Sequence, residues 1–224
     1  MGLLGMLFGK KGPEFTERIW LTTGAKLNDL VGRVRAGQER GANPLVVSHF
    51  GATHTALLEA LGKTGVTVYN ITSSALFPVN LSEVLRQRRA ALVLSSAAIP
   101  ALVTRAVSAQ PKDSTLAPVS VLLAEHYPLP ERDLQVLALD KVWPMRLEFA
   151  CYTGLDEPWL ASFGTDRIRD MLPKLGIDKE EMLEHPWLNQ SIRSAQKRLA
   201  QQIRREQACD SCEEWVRRNL REPG

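Results

Sequence analysis

The chain of 224 residues has few of the features that mark a secreted, membrane-spanning or nucleic-acid-binding protein. Its three cysteines are an odd number with no disulfide framework, which is typical of a reducing cytoplasm. The formal net charge of +3 is too small by itself to indicate nucleic acid as a partner. No apolar run approaches the roughly 18 residues that a membrane span needs. We therefore expect a globular cytoplasmic protein without a nucleic-acid partner.

Signatures of nucleotide and metal chemistry are also missing. Residues 62–64 (GKT) resemble the end of a phosphate loop, but Leu57 stands where that motif needs glycine, and the tripeptide follows a helical pattern instead of a strand. Cys209 and Cys212 form a lone CxxC without the second ligand pair that zinc requires, so we interpret them as inert thiols. The histidines show no metal-ligand spacing: His49, His54, His126 and His185. We expect no metal and no cofactor.

Residues 16–153 predict one α/β domain, because short β-branched apolar runs alternate with segments of helical spacing. Between the strands, apolar residues recur at helical intervals, as in the segments that start near residues 23, 53, 81, 99 and 130. Such alternation is typical of a parallel sheet with helices on its faces. Five runs are predicted strands: 44–49, 66–71, 91–95, 119–124 and 147–152. The fold class is thus a single parallel sheet of about five strands flanked by helices.

Polar residues follow the predicted strands at the end where open parallel sheets bind ligands. Loops carry such residues without any ligand, so both interpretations stay open. Glu125 and His126 are the best-placed acid/base pair, but neighbours on a strand point to opposite faces and would meet only if the strand has ended. A surface pair is the alternative. The candidate ligand-binding residues are Ser48, His49, Ser95, Ser96, Glu125 and His126.

Two terminal segments flank this domain. Residues 1–15 combine an apolar tip with trailing lysines, which favours docking to an anionic membrane or a partner, although such a terminus can also fray or pack on the domain. The candidate docking residues are Leu3, Leu4, Leu7, Phe8, Lys10 and Lys11.

Residues 154–224 form a helical extension. Helical stretches are predicted from Asp156 to Leu175 and from Glu184 onward, and the second carries an apolar stripe through Ile192, Ala195 and Leu199. The remaining faces of that helix are basic. Arg193, Lys197 and Arg198 either remain in solvent or face an acidic partner.

Several segments together resemble SecA, the motor ATPase of bacterial protein export. Residues 18–28 (RIWLTTGAKLN) and 43–48 (NPLVVS) are similar to the start of SecA's second RecA-like motor domain, which has the P-loop NTPase fold. Residues 156–168 (DEPWLASFGTDRI), 184–187 (EHPW) and 191–198 (SIRSAQKR) are similar to the passage into its scaffold helix. The apolar start of the chain is similar to the amphipathic start of SecA, which contacts lipid and the translocon in that family.

The sequence departs from the family where the motor chemistry lies. The first motor domain, with its phosphate loop, has no counterpart. Residues 97–101 (AAIPA) replace a Gly-Arg-Gly-Thr-Asp loop, and residues 134–140 (LQVLALD) replace an arginine-rich helix. Without arginines to offset charge on a γ-phosphate, a major source of catalysis is lost.

The resemblance therefore implies a degenerate, non-catalytic SecA-like domain. It would act as an accessory binding module in protein export, in the cytoplasm or at the inner face of the membrane, with the translocon or full-length SecA as its protein partner. The alternatives are a nucleotide or small-molecule sensor that binds at the strand ends without hydrolysis, and an enzyme built on Glu125 and His126.

Overall fold

Short apolar runs build a six-stranded, all-parallel sheet in the order β1-β6-β5-β2-β4-β3. The computed structural model describes residues 12–73, 90–105, 118–143, 145–183 and 186–220. The strands are β1 Thr16–Trp20, β2 Leu45–Ser48, β3 Thr67–Ile71, β4 Ala90–Ser95, β5 Val119–Leu123 and β6 Leu147–Gly154. The described α-helices are α1 Thr23–Glu39, α2 Gly51–Gly62, α3 Ile99–Arg105, α4 Pro130–Leu137, α5 Pro158–Ala161, α6 Thr165–Met171, α7 Pro186–Gln202 and α8 Cys212–Asn219. The predicted α/β fold class is confirmed.

Helices cover both faces of the sheet because successive strand residues point to opposite sides. Leu45 of β2 pairs with Leu92 and Val121, and all three pack on the face that also buries Val136 of α4. On the other face, Val46 packs with residues of α1 and α2. A third apolar cluster lies at the carboxyl ends of the strands, where α5, α7 and α8 pack around Trp159, Leu199 and Trp215.

β1 was not among the predicted strands. It lies at the edge of the sheet and pairs with β6, with Thr16 opposite Ala150, and its Ile19 forms an isolated antiparallel bridge with Leu183. Edge strands tolerate charged residues, and Glu17 and Arg18 interrupt the apolar pattern that identified the other five strands.

The sequence predicts an N-cap at Thr23, a helix break from Gly37 onward and one helical stretch from Asp156 to Leu175, and the structure differs from each of these predictions. The N-cap of α1 is Thr22, whose Oγ1 accepts a hydrogen bond from Ala25 N, and not Thr23. α1 also continues through Gly37 to Glu39, past the predicted break. The single helix expected between residues 156 and 175 is divided into α5, α6 and a 3-10 turn, because Gly164 adopts a left-handed φ of 78°. The helix expected at residues 81–89 lies outside the described residues.

Candidate functional site

The topological switch point of the sheet lies between β2 and β5. These strands are neighbours, yet the helix after β2 packs on one face and the helix after β5 packs on the other. In open α/β sheets, ligands bind in the crevice that such a divergence creates at the carboxyl ends. His49 follows β2 here, and Glu125 follows β5.

The carboxylate of Glu125 occupies the N-terminus of α2. Its Oε1 accepts hydrogen bonds from the backbone N–H groups of His49 (2.8 Å) and Phe50 (3.0 Å), and its Oε2 accepts one from the hydroxyl of Thr53. The first N–H groups of a helix have no partner within the helix and carry partial positive charge, so they favour an anion. This chain supplies that anion itself, from a glutamate that is 5% exposed.

His49 connects the end of β4 to helix α4. Its Nδ1 lies 2.9 Å from Oγ of Ser96, after β4, and its Nε2 lies 2.9 Å from Oδ1 of Asp133 in α4. Ser48 is buried and turns away from this group, with its Oγ 2.8 Å from Nδ1 of His54. Ser95 is half-buried at the end of β4. The structure thus brings His49, Ser96 and Glu125 together and places Ser48 in a separate hydrogen-bonded pair.

His126 is buried between two carboxylates. Its Nδ1 lies 2.6 Å from Oδ2 of Asp133, and its Nε2 lies 2.8 Å from Oε2 of Glu17. Burial disfavours the imidazolium, but Cys151, Asp133 and Glu17 outweigh it and raise the pKa of His126 well above its ordinary value. Burial also acts to raise the pKa of Asp133, but its contacts with His126 and His49 hold that pKa far below the ordinary range. The arrangement is therefore an ion-paired triad.

Glu125 and His126 lie beyond the end of β5 at Leu123, as the predicted acid/base pair required. Their side chains nevertheless bind different partners: Glu125 binds the start of α2, and His126 binds Asp133 and Glu17. Both are buried, at 5% and 3% exposure. Each side chain therefore serves a different structural contact.

One set of three metal-ligand side chains occurs among the described residues. Donor atoms of Glu17, His126 and Cys151 all lie within 4.8 Å of one another. A metal there would have to replace the proton between His126 and Glu17 and another on the Cys151 thiol, whose pKa burial raises to about 12. The geometry permits a small cation, while the hydrogen bonds present already satisfy the imidazole.

The C-terminal helices cover the carboxyl ends of the strands. Nε2 of Gln196 in α7 donates to the backbone oxygen of Tyr127 (2.8 Å) and to Oδ2 of Asp133 (2.7 Å). The Tyr127 hydroxyl and Nε1 of Trp215 in α8 both donate to Glu206, the latter over 2.8 Å. Residues that the sequence assigned to a helical extension thus cover the predicted ligand site.

Sequence reasoning missed Glu17, Asp133 and Gln196 as members of this network. By sequence pattern alone, Asp133 is only an acidic residue in the first turn of a helix, where it favours the positive end of the helix dipole. Gln196 offered a signal, since it lies four residues after Ile192 and so interrupts the apolar side of α7 with a buried polar group.

The remaining predicted residues lie elsewhere. Arg193, Lys197 and Arg198 are exposed on α7, and Nη2 of Arg193 lies 3.8 Å from Oε1 of Glu17. The six docking residues predicted in the N-terminal segment lie outside the described residues. Within the described part of the chain, no helix combines the length and hydrophobicity that a membrane span requires.

No family model matches this chain. Short segments are similar to the protein translocase subunit SecA, with 42% identity over 48 residues for Acidithiobacillus ferrooxidans and 38% over 56 residues for Afipia carboxidovorans. These matches cover 21% and 25% of this chain, but 5% and 6% of the relatives' own length. SecA of Salinibacter ruber is 36% identical over 50 residues, which are 22% of this chain and 4% of that protein. The expected resemblance to SecA is therefore confirmed for a short part of the chain.

Two solved structures are similar to the described fold. The C-terminal part of the Fun30 ATPase domain matches with a TM-score of 0.39 and 13% identity, over 79% of this chain and 54% of that one. The helicase domain of Hef from Pyrococcus furiosus matches with a TM-score of 0.39 and 19% identity, over 63% and 28% respectively. Likenesses of this degree carry no inference about activity.

Proposed function

We propose that this protein is a non-catalytic, SecA-like binding module that acts in protein export on the cytoplasmic side of the membrane. The sequence similarity to the translocase subunit supports the link to translocation. Its partner in this proposal is a protein of the export machinery, either the translocon or a full-length SecA. The N-terminal segment and the basic face of α7 are the proposed contact regions.

The observation that favours a non-catalytic role is the Glu125 carboxylate at the N-terminus of α2. It lies at the switch point, where a bound anion would receive backbone N–H groups, and it already receives those of His49 and Phe50. A nucleotide phosphate would have to displace this buried side chain and lose its hydrogen bonds. The same contacts argue against a ligand sensor at the strand ends.

Co-sedimentation with inverted membrane vesicles tests the export link. We expect salt-sensitive binding by the full chain and loss of binding by a version that starts at Pro13. Charge neutralisation by Arg193→Gln, Lys197→Gln and Arg198→Gln tests the second contact region, and we expect it to weaken binding while the melting temperature stays unchanged. The matched control neutralises three exposed lysines on other elements: Lys141, Lys174 and Lys179. Equal binding by all versions would contradict the proposal.

Nucleotide assays test the non-catalytic part separately. We expect no ATP-dependent phosphate release, with or without vesicles, and no rise in melting temperature with ATP or ADP, because a ligand that selects the folded state stabilises it. A nucleotide-dependent rise without turnover would favour the sensor. Turnover that disappears in Glu125→Gln or His126→Gln would favour an enzyme.

A further inference from the structure

A cavity lies on the α1 side of the sheet, away from the switch point. It has a volume of about 230 Å³ and is lined by side chains of β1, β5, β6 and the C-terminal half of α1. Thr16 and Ser120 place it toward the amino-terminal ends of their strands. Three arginines line it: Arg18, Arg33 and Arg40. The network of Glu125 and His126 lies at the other end of the strands.

Hydrogen-bond donors in this cavity lack matching acceptors. The hydroxyl of Tyr152 is buried and has no hydrogen-bond partner among the described residues, although buried polar groups in proteins are almost always paired. Among the described residues, Nη1 of the half-buried Arg18 donates to Sδ of Met182 at 3.5 Å and to no stronger acceptor, since a thioether is a weak one. Tyr152 and Arg18 line the same cavity, and neither the Tyr152 hydroxyl nor Nη1 of Arg18 has a strong hydrogen-bond acceptor among the described residues.

The charged side chains that line the cavity are mainly positive. Arg40 forms no ion pair within the described part of the chain, whereas Nε of Arg33 lies 2.8 Å from Oδ2 of Asp29. The one carboxylate that lines the cavity, Glu148, is 54% exposed at its side chain and lies 3.5 Å from Nη2 of Arg146, outside the cavity lining. The cavity therefore carries excess positive charge.

Tyr152 remains a donor throughout the physiological range. Burial raises its pKa to about 12, while the nearby guanidiniums of Arg33 and Arg18 act in the opposite direction. The ring is fixed by stacking on Trp20, with ring centroids 5.2 Å apart and planes 9° from parallel. A fixed hydroxyl donor beside planar guanidinium groups suits an oxyanion, because guanidinium binds phosphate through two parallel hydrogen bonds.

We propose that this cavity binds a phosphate-type oxyanion, held by Arg18, Arg40 and the hydroxyl of Tyr152. Such an anion would supply the acceptor that the phenol lacks and would replace the thioether at Arg18. The phosphate group can belong to free phosphate or to a phospholipid headgroup, since both present the same oxygens. This site is independent of the proposed role in export.

Inorganic phosphate is the first probe, titrated into the full chain by calorimetry and thermal melting against chloride at equal ionic strength. We expect saturable binding and a rise in melting temperature with phosphate alone. Arg18→Gln should weaken binding by about tenfold or more, because it removes a charge-assisted hydrogen bond. Arg35→Gln is the matched control, since Arg35 is an exposed α1 arginine that pairs with Glu39 and does not line the cavity. It should change the affinity less than about twofold.

Tyr152→Phe removes only the unpaired hydroxyl. Without phosphate this variant should melt at the same temperature as the parent or higher, because it deletes a buried donor that has no partner. With phosphate it should gain less stability than the parent. That combination separates ligand binding from a folding defect.

Sedimentation with vesicles of phosphatidylglycerol, compared with phosphatidylcholine, identifies the source of the phosphate group. Binding to the anionic vesicles that Arg18→Gln weakens and Arg35→Gln does not would assign the site to a lipid headgroup. If the protein binds inorganic phosphate but Arg18→Gln does not change its binding to the vesicles, the site is assigned to a soluble phosphate. If phosphate stabilises the parent, Arg18→Gln and Tyr152→Phe equally, or no more than chloride does, the proposal is overturned.

Discussion

Nδ1 of His126 lies 2.6 Å from Oδ2 of Asp133, and both side chains are buried. The two residues shift each other's pKa in opposite directions: that of His126 is raised and that of Asp133 is lowered. The charged form of each residue therefore favours the charged form of the other. This coupling makes the stability of the fold depend on pH, through Asp133 at acidic pH and through His126 at higher pH.

The first prediction concerns the pH window of maximal stability. The contribution of Asp133 is present above its unfolded-state pKa, about 3.9, and is lost as pH falls toward its lowered folded-state pKa. The contribution of His126 is complete below its unfolded-state pKa, about 6.5, and is lost as pH rises toward its raised folded-state pKa. We expect the free energy of unfolding in urea to be greatest between about pH 4 and pH 6.5.

His126→Gln should remove the decline above about pH 6.5, since glutamine does not titrate. His54→Gln is the matched control, because His54 is a second buried histidine, hydrogen-bonded to Ser48 and Asn70. It should retain the alkaline decline. A decline that survives in His126→Gln would show that another group causes it.

Local pattern was enough to predict the central strands but not the edge strand. β2 is apolar on both faces because Leu45 and Val47 pack under α4 while Val46 packs under α1 and α2, and that continuous apolar run is visible in the sequence. In β1, Glu17 breaks the pattern because it is ion-paired with His126, more than a hundred residues away. No local rule could anticipate that partner.

The candidate site was also predictable from the sequence only in part. The rule that strand ends meet at one edge brought His49 and Glu125 together, since it depends only on the direction of parallel strands. It could not supply Asp133 or Gln196, because both come from helices whose docking is decided by packing across the whole fold. The sequence therefore could not predict that Asp133 and Gln196 lie in the crevice at the switch point.

The second prediction concerns Glu125. Glu125→Ala leaves the part-buried N–H of His49 and the buried N–H of Phe50 without an acceptor, at about 1–3 kcal/mol for each unsatisfied group. We expect its free energy of unfolding to fall by about 3 kcal/mol or more, and that of Glu125→Gln to fall less because one acceptor oxygen remains. Urea denaturation at constant pH measures both. Glu148→Gln, at an exposed glutamate, should stay within about 0.5 kcal/mol of the parent. Similar values for all three variants would show that the Glu125 contacts contribute little.

The third prediction concerns a buried ion pair between α1 and α5. Nζ of Lys26 lies 2.7 Å from Oε1 of Glu157, which also accepts from the backbone N–H of Gly154 at 2.9 Å. Lys26→Met leaves a buried carboxylate without its counter-charge, so we expect a loss of about 3–5 kcal/mol. The double variant with Glu157→Gln should recover part of that loss, because no charge then remains buried.

Chemical denaturation again provides the measurement for this pair. Arg35→Gln removes an exposed pair with Glu39 and should cost less than about 1 kcal/mol. If Lys26→Met costs no more than Arg35→Gln, the pair between α1 and α5 does not stabilise the fold as its burial implies.

The fourth prediction concerns the start of α2, where the C-terminal segment docks. The backbone N–H of Ala52 donates to the backbone oxygen of Asp210 over 3.0 Å, and a Cβ atom added to Gly51 would lie 2.0 Å from Oδ1 of Asp210. Gly51→Ala therefore displaces the Asp210 carboxylate and should loosen the segment that leads into α8. We expect faster amide hydrogen exchange between residues 207 and 219.

Gly62→Ala is the matched control in the same helix, because no atom lies within 4 Å of a Cβ added there. It should leave exchange in α8 unchanged and raise the free energy of unfolding by up to about 1 kcal/mol, since alanine loses less conformational entropy than glycine in a helix. Adding Asp210→Ala to Gly51→Ala removes the carboxylate that clashes and should restore slow exchange. If exchange remains fast in this double variant, the clash between the new methyl group and the Asp210 carboxylate does not explain the loosening of α8.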